Sequence, residues 1–117
     1  MEQMVWRAVD ELPEQFKERI ANLEFSVEGY ARPSDYDLAD ARPGATLLGV
    51  YRGIPLTRRS SRYGLALPDR IVIFQRPLER IARDEDDLEQ RVARVVRHEI
   101  GHYFGISDDR LHEIGAY

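Results

Sequence analysis

The chain has 117 residues, of which 43% are hydrophobic and 32% charged, and its formal net charge is −4. This length fits a single domain, residues 1–117, and no run reaches the ~18 apolar residues that a membrane span requires. The negative charge argues against general nucleic-acid binding, and the lack of cysteine excludes disulfides and thiolate metal sites. Because no secretory signal is visible at the start, we expect a cytoplasmic protein with no membrane or nucleic-acid partner.

The first predicted elements are an interrupted helix and a strand. Apolar residues recur every three or four positions from Met4 to Leu23, as one face of a helix requires. Pro13 interrupts this pattern, so we expect either two helices that meet near Leu12 or a new helix that begins at Pro13. The segment "FSVEGYARP" then alternates apolar and polar residues, which favours a half-buried strand that ends at Pro33.

The middle of the chain is predicted to contain two more strands and two loops. Residues Ser34 to Gly44 are rich in Asp, Pro and Gly and are predicted as a loop, and "TLLGVYRG" follows as a strand. The segment "IPLTRRSSRYGLALP" is expected to form a long loop or a loose hairpin arm, with Thr57 to Arg62 as its basic, solvated part. "DRIVIFQ" (Asp69 to Gln75) is the strongest strand candidate.

The last predicted elements are helices. A short one is expected near Pro77, and a long one from "DEDD" (Asp84 to Asp87), where negative charge suits a helix N-terminus, to Phe104. Gly105 is the expected C-terminal stop, and a final helix over Asp109 to Ile114 would be capped by Ser107 or Asp108. This order of helices around three strands indicates the α+β class.

The segment "HEIGHYFGISDD" (98–109) carries two of the three histidines of the chain. His98 and His102 are four residues apart, so a helix places them on one side, about one turn apart. Glu99 falls inside the apolar stripe of the helix, where an unpaired carboxylate would cost several kcal/mol. Two histidines at this spacing are by themselves often ordinary surface or core residues, but together with Glu99 they match the zinc motif His-Glu-x-x-His.

A third zinc ligand can come from the residues after the turn at Gly105. Asp108 lies six residues beyond His102, and a chain that reverses at Gly105 can return its carboxylate to the same metal. The competing ligands are Asp109, His112 and Glu113. Three protein ligands and an open position are the arrangement of catalytic zinc, and Zn²⁺ is inferred here from the ligand types.

The chain resembles the small bacterial zincin-like metallopeptidases along most of its length. The matching segments are "LPEQF" (12–16), "LLGVYRGIPLTRR" (47–59), "LPDRIVIFQRPLER" (67–80) and "HEIGHYFGISDDRLHEIG" (98–115). The resemblance implies a pared-down zincin fold, in which a small mixed sheet packs against an N-terminal helix and a long C-terminal active-site helix. It also implies that His98, His102 and Asp108 bind the metal and that Glu99 is the general base.

The chain departs from better-studied zincins behind the metal motif. Position 108 is not a third histidine, no methionine follows it, and twelve residues come after Gly105. We therefore expect the second wall of a substrate cleft to come from the N-terminal helix, the Thr57 to Leu67 loop, Tyr117 or another chain. Tyr103, Tyr117 and Arg110 are candidates for stabilising an oxyanion, although Tyr103 lies in the apolar stripe.

The leading hypothesis is a zinc metallopeptidase that cleaves peptide or protein substrates. The strand residues Ile71, Val72, Ile73, Phe74 and Gln75 could then lie at the sheet edge and bind an extended peptide by backbone pairing, or the strand could be ordinary packing. The alternative function is a zinc-binding domain without proteolysis, which acts as a structural or partner-docking module. A third hypothesis is a chance pattern on a structural helix. The substrate and the oligomeric state are not predicted.

Overall fold

Six helices and three strands make up the described part of the chain. The computed structural model describes residues 1–39, 41–42, 44–53 and 69–113, without the side chains of Asp108, Leu111 and His112. In chain order the elements are α1 (Glu2–Asp10), α2 (Glu14–Arg19), β1 (Glu24–Glu28), α3 (Pro33–Leu38), β2 (Gly49–Arg52), β3 (Arg70–Phe74), α4 (Gln75–Ile81), α5 (Glu85–Phe104) and α6 (Asp108–Glu113). The predicted α+β class is confirmed. The predicted basic loop Thr57 to Arg62, the wider Thr57 to Leu67 loop and Tyr117 lie outside the described residues.

The N-terminal helix is divided at Pro13, as the sequence predicts. Helix α1 ends at Asp10, and α2 begins at Glu14 directly after the proline. Leu12 lies between them and is buried, so the connection itself contributes to the core. None of the described helices is long and apolar enough to cross a membrane.

The three strands form one mixed sheet in the order β1-β3-β2. Strand β3 is the central one, parallel to β1 with Phe25 opposite Ile71, and antiparallel to β2 with Gly49 opposite Ile73. The amide of Phe74 donates to the carbonyl oxygen of Leu48 at 3.0 Å, which continues the pairing one residue beyond β2. The expected small mixed sheet is confirmed.

Both faces of the central strand are covered. Ile71 and Ile73 belong to the main core, which also contains residues of α1 and α5, whereas Val72 and Phe74 belong to a smaller cluster on the other face. All four side chains are fully buried. A strand buried on both faces is expected to be a continuous apolar run, which explains the pattern of "DRIVIFQ".

Residues Pro33–Leu38 form helix α3, so the prediction of a loop from Ser34 to Gly44 is wrong over these residues. Pro33 occupies the first turn, and Asp35 accepts a hydrogen bond from the amide of Arg32 at 2.8 Å, which caps the helix. Asp35 is fully buried and also accepts two hydrogen bonds from Arg52, each 2.8 Å long. The guanidinium of Arg52 bonds Glu28 as well, at 2.9 and 3.1 Å. The helix is thus held by a residue of β2, far away in sequence.

Replacing Arg52 with Met is expected to lower the free energy of unfolding by about 3 kcal/mol, because it leaves the carboxylate of Asp35 buried without its cation. Urea titration followed by circular dichroism measures this loss. The matched control is Arg70→Met, which removes an ion pair to Glu24 whose partners are 47% and 48% exposed. An exposed pair contributes at most about 1 kcal/mol. Equal losses in the two variants would contradict a special role for Arg52.

The contribution of Arg52 to the free energy of unfolding also depends on pH. Its hydrogen bonds lower the pKa of Asp35 and of Glu28 below their ordinary values of 3.8 and 4.5. A carboxyl with a lowered folded-state pKa stabilises the fold above its unfolded pKa and loses that contribution as the pH falls through the folded pKa. The difference in free energy of unfolding between the wild type and Arg52→Met should therefore be largest near neutral pH and should become smaller below about pH 4.

Candidate active site

Helix α5 positions the residues of the zinc motif, and both of its ends are fixed locally. Asp84 accepts a hydrogen bond from the amide of Asp87 at 2.7 Å and so caps the N-terminus. Gly105 ends the helix in the left-handed conformation, with φ of 72°. The amides of Gly105 and Ile106 donate to the carbonyl oxygens of His102 and Gly101. The predicted start and stop of the helix are confirmed.

The two histidines lie side by side on α5, next to a buried glutamate. Their ring centroids are 4.6 Å apart, and their side chains are 44% and 42% exposed. Glu99 is only 5% exposed. One of its carboxylate oxygens lies 3.8 Å from Nδ1 of His102, and the other lies 4.0 Å from Nε2 of His98. The structure therefore brings two open imidazoles and one buried carboxylate together.

The two imidazoles are suited to serve as two of the ligands of a zinc ion. Neutral imidazoles one helical turn apart can share one metal, and here both rings are open on the same side of α5. Among the described residues, no three His, Asp or Glu side chains are grouped so that they could hold a metal ion. The side chain of Asp108, the predicted third ligand, lies outside the description, as does that of His112.

The segment after Gly105 contains all the candidates for the third ligand. The hydroxyl of Ser107 accepts a hydrogen bond from the amide of Arg110 at 3.2 Å, so Ser107 supplies the cap of α6. Glu113 is bound to Arg110 at 3.0 Å, and Asp109 is exposed. The capping role that the sequence left open between Ser107 and Asp108 is thus filled by Ser107.

A cleft of about 330 Å³ opens beside the two histidines. One side is α5, which contributes the motif residues, Val95 and Arg94. The other side comes from the end of α3 and from the chain around the start of β2, and its described members are Ala39, Thr46, Leu47, Leu48 and Gly49. Most of this second wall is apolar, so the cleft combines an apolar side with a polar side that carries the two histidines and Glu99.

Gly49 of β2 packs closely against α5. A Cβ atom added there would lie 2.5 Å from Cγ1 of Val95 and 3.1 Å from the carbonyl oxygen of Val72. Val95 is β-branched, so its position in the helix is stiff and the contact cannot be relieved easily. Glycine at this position therefore lets β2 approach Val95, which lies one helical turn before Glu99 and also lines the cleft.

The prediction that Ile71 to Gln75 lies at a sheet edge and pairs with a substrate is wrong. Strand β3 is paired on both sides, and its side chains from Ile71 to Phe74 are fully buried. Gln75 begins α4 and donates a hydrogen bond to Glu79 at 3.1 Å. The alternative from the sequence, a packed core strand, is correct. Among the described strands, the outer one at the cleft is β2.

The three candidates for oxyanion stabilisation differ in their positions. Tyr103 is buried in the main core and packs edge-on against Tyr51, with ring centroids 5.8 Å apart. Arg110 forms an ion pair with Glu113 on the surface of α6. Tyr117 lies outside the described residues. Neither Tyr103 nor Arg110 is among the described residues that line the cleft.

Sequence analysis missed the cleft residues outside the zinc motif. Leu47, Leu48 and Gly49 were predicted as part of a strand and of a segment that resembles the family, but not as part of the site, and no role was predicted for Arg94. A second cleft of about 410 Å³ adjoins the first, since Thr46, Leu47 and Leu48 line both. Its other described lining residues, largely apolar and aromatic, are Tyr30, Ala31, Tyr36, Pro77, Arg80 and Ile81. Of the residues that line the first cleft, only those of the His-Glu-x-x-His motif have a local sequence pattern that indicates a site.

Two histidines one turn apart, with a glutamate after the first and a cleft in front of them, are typical of the active-site helix of zinc metallopeptidases. The chain belongs to the zincin-like metallopeptidase family, whose model matches residues 20–116. The family resemblance inferred from the sequence segments is therefore confirmed.

A solved structure supports the fold. A conserved hypothetical protein from Thermus thermophilus is 22% identical, with a TM-score of 0.53 over 97% of this chain and 92% of that chain. At this level of identity the likeness shows the fold alone. None of the curated proteins compared with the chain matches it.

Proposed function

We propose that the protein is a zinc-dependent metallopeptidase that hydrolyses peptide bonds in its α5–β2 cleft. The observation that carries this proposal is the buried carboxylate of Glu99, within 4.0 Å of two imidazoles that are open to the cleft. Burying a carboxylate costs free energy, and a carboxylate held at this depth beside two exposed imidazoles is what a metal-dependent general base requires. The family match agrees with the proposal.

His98 and His102 would hold the zinc ion, with Asp108 as the third ligand. When bound, Zn²⁺ supplies a Lewis acid that polarises a peptide carbonyl and makes water more acidic. Glu99 would accept a proton from the attacking water and donate it to the leaving amine. Its burial fixes its position, because the side chain has little room for other rotamers.

The outer side of β2 would bind the substrate backbone. In an antiparallel pair, residues alternate between those that bond the partner strand and those that face away. Leu48 accepts from Phe74 of β3, so the amide and carbonyl groups of Gly49, the next residue, face away from β3. No described strand pairs with that side of β2. A peptide could therefore add as an extended strand beside the histidines.

A peptide digest tests this function. Purified protein with added zinc is incubated with a mixture of short, unstructured peptides, and cleavage is followed by mass spectrometry. We expect discrete cleavage products that disappear with a chelator and return when zinc is added back. Zinc that raises the melting temperature without any cleavage would instead support the alternative, a zinc-binding module without proteolysis.

A further inference from the structure

Arg94 differs from the other arginines on its side of α5. Its neighbours one turn away both have carboxylate partners, Asp87 for Arg91 at 2.8 Å and Glu11 for Arg97 at 3.4 Å. Arg94 lines the cleft and, within the described part of the chain, has no carboxylate within ion-pair distance. Among the described residues, α5 thus brings to the cleft an arginine that forms no ion pair with a carboxylate of this chain.

The position of Arg94 suits a substrate contact away from the reacting bond. It precedes His98 by four residues, so it lies on the same side of the helix and about 6 Å along the axis. Helical side chains lean toward the N-terminus, and because arginine is longer than histidine its guanidinium can lie further from the imidazoles than the backbone spacing alone gives. An extended peptide advances about 3.3 Å per residue, so the contact would fall roughly two residues from the bond cleaved.

The surroundings define what Arg94 would bind. The wall that faces α5 is largely apolar, with Ala39, Leu47 and Leu48 among its described members. A guanidinium forms paired hydrogen bonds with a carboxylate, and it is weakly hydrated, so such bonds form readily beside an apolar surface. We propose that Arg94 forms a carboxylate-binding subsite of the cleft, which selects peptides with a carboxylate about two residues from the scissile bond. This inference rests on the proposed peptidase function.

The carboxylate can be the C-terminus of the peptide or an acidic side chain, and three fluorescent peptides distinguish the two. All share one apolar sequence: one has a free C-terminus, one is amidated and carries a glutamate, and one is amidated and neutral. Binding is measured by anisotropy with the Glu99→Gln protein and added zinc, so that no peptide is cleaved during the measurement. The peptide whose binding depends on Arg94 shows whether the bound carboxylate is a C-terminus or an acidic side chain.

Removing the charge with Arg94→Gln should weaken binding of one carboxylate peptide by about 10- to 100-fold, as expected for a charge-assisted hydrogen-bonded pair. Arg94→Lys should recover part of the loss, since it keeps the charge but not the paired geometry. The matched control is Arg97→Gln, one turn further along the same helix, which should bind all three peptides as the parent does. The neutral peptide should bind weakly and without dependence on Arg94.

The results separate this inference from the proposed function. If Arg94→Gln leaves all three affinities unchanged, or if no peptide binds, the subsite is wrong. If the wild type and the Arg94→Gln variant cleave peptides at the same rate, the proposed hydrolysis is supported and the proposed subsite is wrong. If binding depends on Arg94 but the wild type cleaves nothing, Arg94 still binds a peptide carboxylate, whereas the proposed hydrolysis, and with it the position of the subsite relative to a scissile bond, is wrong.

Discussion

Replacing Glu99 with Gln is expected to lower the rate of peptide hydrolysis by about 10²- to 10⁴-fold, the usual contribution of a positioned general base. The amide has nearly the same shape as the carboxylate but cannot accept a proton from water. Because Glu99 is not one of the proposed metal ligands, zinc content per chain should stay the same. Rates are measured with any peptide that the wild type cleaves, and zinc by elemental analysis.

The same substitution should not destabilise the metal-free protein. Glu99 is 5% exposed, and an ionised carboxylate at such depth costs more free energy of burial than an amide does. The amide also keeps the shape of the side chain and can still accept a hydrogen bond, so the free energy of unfolding of Glu99→Gln is expected to stay within about 1 kcal/mol of the wild-type value. Lost activity without lost stability is typical of functional residues.

An exposed glutamate of the same helix provides the control. Glu85→Gln changes a carboxylate in the first turn of α5, far from the histidines in sequence, and should leave hydrolysis unchanged. A Glu99→Gln protein that still cleaves peptides at the native rate would refute the role of general base. A variant that loses zinc together with activity would show that Glu99 acts on the metal instead.

The helices could be predicted from sequence because their signals are local. The spacing of apolar residues, Asp84 at the start and Gly105 at the end all lie within or next to α5, and the structure confirms each. The position of Glu99 could also be predicted, since a carboxylate inside an apolar stripe is visible on a helical wheel. This local conflict between pattern and burial is what pointed to the site.

Strand order and helix α3 could not be predicted in the same way. An apolar run such as Ile71 to Phe74 is compatible with a core strand or an edge strand, and only its partners on both sides settle which one it is. Helix α3 has Pro33 and Asp35 as local signals, but the burial of Asp35 depends on Arg52, seventeen residues away. A contact such as that between Asp35 and Arg52, which joins residues distant in sequence, produces no periodic pattern from which it could be predicted.

The cleft depends on a contact between distant segments as well. Gly49 and Val95 meet because β2 pairs with β3 and β3 packs against α5, which no local pattern specifies. Arg94 becomes noticeable only when its neighbours are seen to be paired and it is seen to face the cleft. Sequence thus predicted the chemistry of the metal motif but not the surface that would select a substrate.

Replacing Asp108 with Asn is expected to weaken zinc binding more than the roughly 10- to 100-fold typical of losing a supporting residue around a metal. An amide carries no charge to offset that of Zn²⁺, whereas His98 and His102 would remain in place. Zinc affinity is measured by competition with a metal-sensitive dye. The rise in melting temperature that zinc gives the wild type should largely disappear, since stabilisation by a ligand follows its affinity.

Three substitutions decide between Asp108 and the other candidates. Asp109→Asn, His112→Gln and Glu113→Gln remove the competing ligands one at a time, and each should keep the zinc affinity of the wild type. Ser107 caps α6, so replacing Asp108 does not remove the cap of this helix. Replacing Glu113 removes only its surface ion pair with Arg110. A loss of zinc that follows Asp109, His112 or Glu113 instead of Asp108 would assign the third ligand to that residue. Because these residues sit on a six-residue helix behind one glycine turn, that result would also redefine how the chain returns to the metal.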